Sequence, residues 1–401
     1  MEQISKLKPG SGALLVFILT AGVFGIINTE MGVIGILPLI AEHFHVTVPE
    51  AGWTVSIFAL VVAISAPIMP LLFSGINRKK VMLLALGVFT LSNIISMLTS
   101  NFTLLLIARA LPAFLHPVYV SMAFTVAAAS VSKEKAPKAV AKVFIGVSAG
   151  MVLGVPVTSY IASEVSFTMG MMFFTVVNAL VFVATLLFVP SMPVKEKLSY
   201  GTQLNVLKKK IVWYSIMAVT LINGALFGFF SYMSDYLRTV TEVSYSVISS
   251  LPLIYGLANI IGNVIAGKQL ATNPIRSTTF IPFALFTFYI CIFILGEWLA
   301  AMAVIILILG ILAGYGQNTM QYMITEAAPE APDFANGLFL LSANLGTTVG
   351  AAACGAFITF FDTRYSVIGS LLFLAVSIIF VVLRIRTVQS SKTIKLKVVA
   401  Q

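Results

Sequence analysis

Three residues that could move a proton stand inside apolar, membrane-length runs. Glu30 lies in ILTAGVFGIINTEMGVIGILPLI, and Arg109 and His116 lie in LLLIARALPAFLHPVYV. An ionisable group at such depth costs at least a few kcal/mol, which ties it to an ion path or a substrate site. Burial raises a carboxylate's proton affinity, a nearby Arg lowers it, and a His can accept or pass on the proton. Arg109 and His116 are seven apart and so share a helix face. At about 1.5 Å per residue, Glu30 lies roughly 15 Å inside the outer end of its span. Arg109 and His116 lie roughly 9 and 20 Å below theirs, so the acid falls between them in depth. The chemistry predicted is reversible protonation within a helix bundle. A static buried ion pair is the competing reading of Glu30 and Arg109, and a hydrogen-bonded interior imidazole that of His116.

The elements that must hold these groups follow from composition. The chain has 401 residues, 59% hydrophobic and 9% charged, with mean hydropathy +1.03. A soluble domain carries roughly 25% charged residues, so this is an integral membrane protein. A helix needs about 20 apolar residues to cross roughly 30 Å of hydrocarbon. Twelve such spans are predicted: 13–40, 50–73, 81–99, 103–131, 139–163, 169–190, 211–238, 245–267, 277–296, 299–325, 335–360 and 364–384. The first is too long for a signal-peptide core and is expected to be retained. The expected fold class is an all-α membrane protein.

The formal charge of +10 could suggest a nucleic-acid partner, but its distribution argues otherwise. With both termini inside, all of the 24 Lys and Arg except Arg109, Arg238 and Arg364 fall in cytoplasmic segments. That bias reports membrane orientation rather than a polyanionic partner. Cys291 and Cys354 both fall in spans, which argues against a disulfide framework. No CxxC or HExxH pattern occurs, and His43 and His45 in EHFHV read as solvated, so no metal or cofactor is expected.

Residues 191–210 break the apolar pattern and leave six spans on each side. The expected organisation is an N-terminal half over 1–190, a cytoplasmic linker over 191–210 and a C-terminal half over 211–401. PLLFSGINRKK and GNVIAGKQLATNPIR echo each other, with Gly75 and Gly267 separated by 267 − 75 = 192 positions. Such halves suit transporters built from repeats around a midplane site. Gly146, Gly150 and Gly154, spaced by four and followed by Pro156, form a ridge where another helix backbone can approach closely.

In these motifs the chain resembles the major facilitator superfamily, and within it the twelve-span drug:proton antiporters. NTEMGVIGILPLIAEHF, the Arg109-to-His116 stretch, GMVLGVPVTSYI and the Asn344-Leu345-Gly346 segment are similar to those of bacterial arabinose-efflux, amphenicol-resistance and purine-efflux permeases. The resemblance implies two six-helix pseudo-symmetric halves, a substrate cavity between them, and first and fourth helices lining it. It also marks Gly75, Arg78, Lys79, Lys80, Gly267 and Arg276 as conformational loop motifs. The loop motif departs from the pattern: Ser74, Gly75, Ile76 and Asn77 precede Arg78 where an Asp is usual, and Thr272 stands at the second acidic position. Pro112 and Pro117 predict a bend in the fourth span.

Uncharged polar residues complete the candidate cavity: Asn28, Tyr119, Tyr232, Gln317, Asn318, Gln321 and Asn344. The amides could recognise a neutral ligand or simply bond helix to helix. Asp235 joins the cavity candidates, although its i,i+3 spacing to Arg238 equally fits a surface pair. The function expected is proton-driven efflux of a drug, sugar or purine-type metabolite across a bacterial cytoplasmic membrane, by a monomer. Proton-linked uptake of a sugar or nucleoside is the alternative. A membrane-embedded enzyme is a poorer fit, since one acid, one Arg and one His are a thin set for catalysis.

Overall fold

Long runs of Leu, Ile, Val, Phe and Ala, punctuated by Gly and Pro, give helices and turns only among the described residues. The computed structural model describes residues 11–194, 200–243 and 245–399. Lys6, Lys8, Lys195 and Lys197 lie outside the described residues, as do the side chains of Lys392, Lys395 and Lys397. The chain divides into two compact units, Met1–Ser199 and Tyr200–Gln401.

The first unit contains α1 (Ser11–Gly32), a 3₁₀ turn at Val33–Ile36, α2 (Leu37–Phe44), α3 (Val48–Ala51), α4 (Trp53–Ser65) and α5 (Met69–Phe73). It continues through α6 (Arg78–Leu98), α7 (Phe102–Ala129), α8 (Ala136–Glu164) and α9 (Phe167–Phe188). Within it α1 packs on α8 and α9, α4 on α7, and α6 on α7 and α9. The second unit contains α10 (Tyr200–Leu204), α11 (Lys210–Thr239), α12 (Tyr245–Thr272), α13 (Pro274–Leu295), α14 (Leu299–Ala327), α15 (Pro332–Phe360) and α16 (Ser366–Val399). There α11 packs on α15 and α16, and α12 on α14.

Among the described residues, ten helical segments are long and apolar enough to cross a membrane. Of the other two expected spans, one is broken and one is a single continuous helix. Residues 50–73 are interrupted at Ala66–Ile68, between α4 and α5. Pro67 and Pro70 cannot donate main-chain hydrogen bonds, so the ladder breaks there. Residues 245–267 lie within the 28-residue α12.

The loop before α6 is tied down within its own unit. Asn77 caps α6 by accepting from the Lys79 amide, and its Nδ2 donates to Ser191 Oγ at 2.8 Å. The Lys79 ammonium donates to the Leu186 carbonyl at 2.9 Å, near the end of α9, where the helix dipole favours a cation. A neutral amide thus does the capping where the family resemblance places an Asp.

Candidate functional site

α1 stops in mid-span. Gly32 and Gly35 weaken the helix, and Pro38 cannot donate to the carbonyl of Ile34, so the chain tightens into a 3₁₀ turn before α2 resumes. Carbonyls of the last turn of α1 lose their helical donors at the break, and Arg109 adds donors at this helix end. Its Nη1 donates to the Thr29 carbonyl at 2.8 Å, Nη2 to the Glu30 carbonyl at 3.4 Å, and Nε to the Thr54 carbonyl of α4 at 3.2 Å. The guanidinium also lies over the Phe58 ring, 4.8 Å from its centroid. A buried cation at the carbonyl end of a helix is favoured by the helix dipole as well as by these bonds.

The Glu30 carboxylate turns the other way. Its Oε2 lies 3.2 Å from Nε2 of His116, with the side chains 18% and 6% exposed respectively. Neither imidazole nitrogen has an aligned hydrogen bond, so this is an ion-pair approach whose strength depends on His116 being protonated. Phe58 lies against the imidazole as well as the guanidinium, with its ring centroid 5.9 Å from that of His116 in an edge-on contact. Glu30 therefore meets Arg109 through its backbone and His116 through its side chain.

α7 runs through both of its prolines. Pro117 has no N–H for the Ala113 carbonyl, which instead accepts Ser65 Oγ from α4 at 3.4 Å. Behind α1, Asn178 of α9 donates to Thr29 Oγ1 at 2.9 Å, and Asn93 of α6 donates to the same oxygen at 3.3 Å. Phe58, Asn93, Thr54 and Asn178 were not singled out from the sequence. Asn93 and Asn178, polar residues inside apolar spans, carried the one signal that could have flagged them.

The remaining candidates are dispersed. Asn28 and Tyr119 are fully buried, with the Tyr119 hydroxyl pressed over Gly22 and Asn28 beside Gly154. Gly146, Gly150 and Gly154 bring α8 against α1 at Thr20, Phe24, Ile27 and Asn28, while Pro156 is exposed. Gly75 sits in the turn after α5, Arg78 is buried at the start of α6, and Lys80 is exposed. In the second unit Gly267 is buried within α12 and Arg276 is exposed in the first turn of α13.

The amides of the second unit join helices. Gln317 donates to Asn223 at 3.2 Å, and Asn223 donates to Thr347 at 2.9 Å. Asn318 donates to Asn263 and Gln321 to Asn336, each at 2.7 Å. Asn344 bonds back to the Leu340 carbonyl of its own helix, and Tyr232 to the Ala351 carbonyl. Asp235 pairs with Arg238 at 3.0 Å and accepts Thr363 Oγ1 at 3.1 Å. A further ion pair escaped notice in the sequence: Arg384 of α16, almost fully buried, donates to Glu326 of α14 at 2.6 Å and to Ser215 of α11 at 3.0 Å.

Residues 14–339 match the family model described as Major Facilitator Superfamily. The chain belongs to this family. The MFS-type transporter YtbD of Bacillus subtilis (strain 168) is 31% identical over 356 residues, which cover 86% of this chain and 88% of that one. A probable sugar efflux transporter of Helicobacter pylori (strain ATCC 700392 / 26695) is 26% identical over 347 residues, covering 84% and 86% respectively. The crystal structure of the Major Facilitator Superfamily transporter FucP in its outward conformation has the same fold. It matches with TM-score 0.76 at 13% identity, covering 93% of this chain and 99% of that one. Members of this superfamily are transporters rather than enzymes. This chain is accordingly a multi-span transporter of a small molecule across a lipid bilayer.

Proposed function

We propose that this transporter exports a small organic molecule, a sugar, drug or purine-type metabolite, in exchange for protons. Glu30 is the coupling group and His116 its partner. The observation that carries this reading is the 3.2 Å approach of Glu30 Oε2 to His116 Nε2 in the middle of an apolar span. Ionised Glu30 attracts a protonated imidazole, and protonation of the carboxylate cancels that attraction. The pair joins α1 to α7 just before the 3₁₀ turn, so a charge change there bears on how the two helices pack. Partial exposure of the carboxylate supports access for the proton. The direction is supported by the efflux named for the Helicobacter pylori relative.

In this reading residues 1–190 and 211–401 are the two moving halves, joined by 191–210. Both termini and that linker face the cytoplasm of a bacterial cell, and the monomer is the working unit.

The test is transport in proteoliposomes with only a pH difference imposed, sugars being the first substrates tried. Glu30→Gln keeps the shape of the side chain but cannot exchange a proton. It should abolish accumulation against a gradient and leave substrate exchange without a gradient intact. Full accumulation by Glu30→Gln would overturn the assignment.

A further inference from the structure

We infer that Thr29, gripped by Asn178 and Asn93, is a positioning residue that aims the Glu30 carboxylate at His116, a role that rests on Glu30 being the coupling group. Thr29 is buried, and its Oγ1 accepts Asn178 Nδ2 of α9 at 2.9 Å and Asn93 Nδ2 of α6 at 3.3 Å. The same hydroxyl donates to the Gly25 carbonyl one turn back at 3.0 Å. The Thr29 carbonyl accepts Arg109 of α7 at 2.8 Å. One residue is thus held from three neighbouring helices, in the turn of α1 that leads into the 3₁₀ segment at Val33–Ile36.

Glu30 is the next residue, so whatever fixes this turn fixes the direction of its side chain. Helical side chains reach about 5–6 Å from the axis, and a rotation of about 15° would carry the carboxylate about 1.5 Å. Added to the 3.2 Å approach to His116, that displacement takes the pair past the roughly 4 Å range of an ion pair. α7 presents two titratable groups here, Arg109 to the backbone and His116 to the carboxylate. Phe58 of α4, Asn93 of α6, Thr158 of α8 and Asn178 of α9 face this part of the site with uncharged groups.

The second unit separates this grip from ordinary packing. Gly150 lies over the Phe24 carbonyl and Gly350 over the Gly224 carbonyl, so α1 and α11 correspond at an offset of 350 − 150 = 224 − 24 = 200. Both helices are tied laterally at the following carbonyl. Gly25 accepts Asn178 at 3.3 Å, and Ala225 accepts Ser370 of α16 at 2.9 Å and Tyr289 of α13 at 3.0 Å. Thr29, however, corresponds to Phe229, which packs on the rings of Tyr236 and Tyr289, and Glu30 corresponds to Phe230. α11 also runs unbroken to Thr239. The hydroxyl grip, the helix break and the acid therefore occur together, in one unit, whereas the carbonyl tie that packing needs occurs in both.

Infrared difference spectroscopy of the full chain in lipid, across a pH series, tests the proposal. The Glu30 carboxyl band is the one that Glu30→Gln removes. Thr29→Val keeps the side-chain shape without the hydroxyl. It should displace the pH midpoint of that band by about half a unit or more, roughly a threefold change in proton affinity. Thr29→Ser restores the hydroxyl and should restore the midpoint. Asn178→Ala should displace it as Thr29→Val does, and decides alone if Thr29→Val does not fold. Ser370→Ala loosens the counterpart tie and should lower the melting temperature without moving the midpoint. An unmoved midpoint in Thr29→Val or in Asn178→Ala, or an equal displacement in Ser370→Ala, would remove the aiming role. A displaced midpoint alongside full accumulation by Glu30→Gln would instead sink the coupling reading and leave the aim of the side chain in place. A titration with no band that Glu30→Gln removes would sink both.

Discussion

The carbonyl of Thr20 occupies the space that a side chain on Gly146 would need. The same relation recurs in the second unit, where the Thr220 carbonyl fills that space at Gly346, 346 − 146 = 200 positions later. Gly150 meets the Phe24 carbonyl and Gly350 the Gly224 carbonyl at the same offset. Each unit thus brings two backbones together through bare Cα atoms. Gly150→Leu or Gly350→Leu should cost about 1–3 kcal/mol by overpacking and abolish transport. Gly87→Ala is the control, since its nearest foreign atom would lie 3.5 Å from the new methyl group. It should stabilise by about 0.5–1 kcal/mol. Thermal unfolding in detergent, with transport assays alongside, checks all three.

Arg109 should not tolerate Lys. The positive charge would survive, but one ammonium cannot reproduce the planar reach to the carbonyls of Thr29, Glu30 and Thr54. Loss of a charged hydrogen bond costs roughly 1.5–3 kcal/mol. Arg109→Lys should lose both stability and transport, by melting and uptake measurements, and wild-type behaviour would mean that the α1 carbonyls need no clamp.

Glu30→Asp keeps the acid but draws it back by one methylene from His116. It should retain partial proton-driven transport with a displaced pH optimum. His116→Gln should weaken accumulation and leave gradient-free exchange in place. Initial rates across a pH series distinguish these outcomes from simple misfolding, which would depress exchange as well.

The pair Arg384–Glu326 should respond asymmetrically. Arg384 has a side chain 3% exposed, whereas that of Glu326 is 36% exposed. Glu326→Ala leaves a buried guanidinium without its counter-charge and should cost about 3–5 kcal/mol. Arg384→Met leaves a carboxylate that water can reach, and should cost clearly less. Comparative thermal melts decide the order.

Outside the spans, Glu330 forms an ion pair with Lys209. Partial burial raises the carboxyl's proton affinity, but the hydrogen bond from Lys209, a backbone hydrogen bond and the charge of the ammonium together outweigh it and hold the group below its usual value of 4.5. The pair's stabilisation is therefore present above about pH 4.5 and lost as the pH falls through the lowered folded value. Both side chains are more than a third exposed, so the effect should stay below about 1 kcal/mol. Lys209→Gln should flatten this acid-side decline in a melting series from about pH 6 to pH 3.

Sequence alone determined the membrane character, the helical class and the residues worth watching. Charges in lipid-length runs and glycines spaced by four are local signals with large energetic consequences. The repeat read from sequence was the 192-residue one between Gly75 and Gly267, whereas the 200-residue one between Gly146 and Gly346 came from the packing of the two units.

What Arg109 and Glu30 bind was decided by tertiary structure. Spacing placed a cation and an acid at neighbouring depths, and the family resemblance brought their helices to one cavity. The α1 break instead leaves carbonyls that draw the guanidinium, and the carboxylate swings to His116. Phe58 against Arg109 and His116, and Glu326 against Arg384, are contacts between residues far apart in the chain. Hydropathy and periodicity report how a helix meets its surroundings, not which partner a side chain finds across the bundle. Only the folded packing settles that, because the choice depends on which buried hydrogen-bonding groups the neighbouring helices leave unsatisfied.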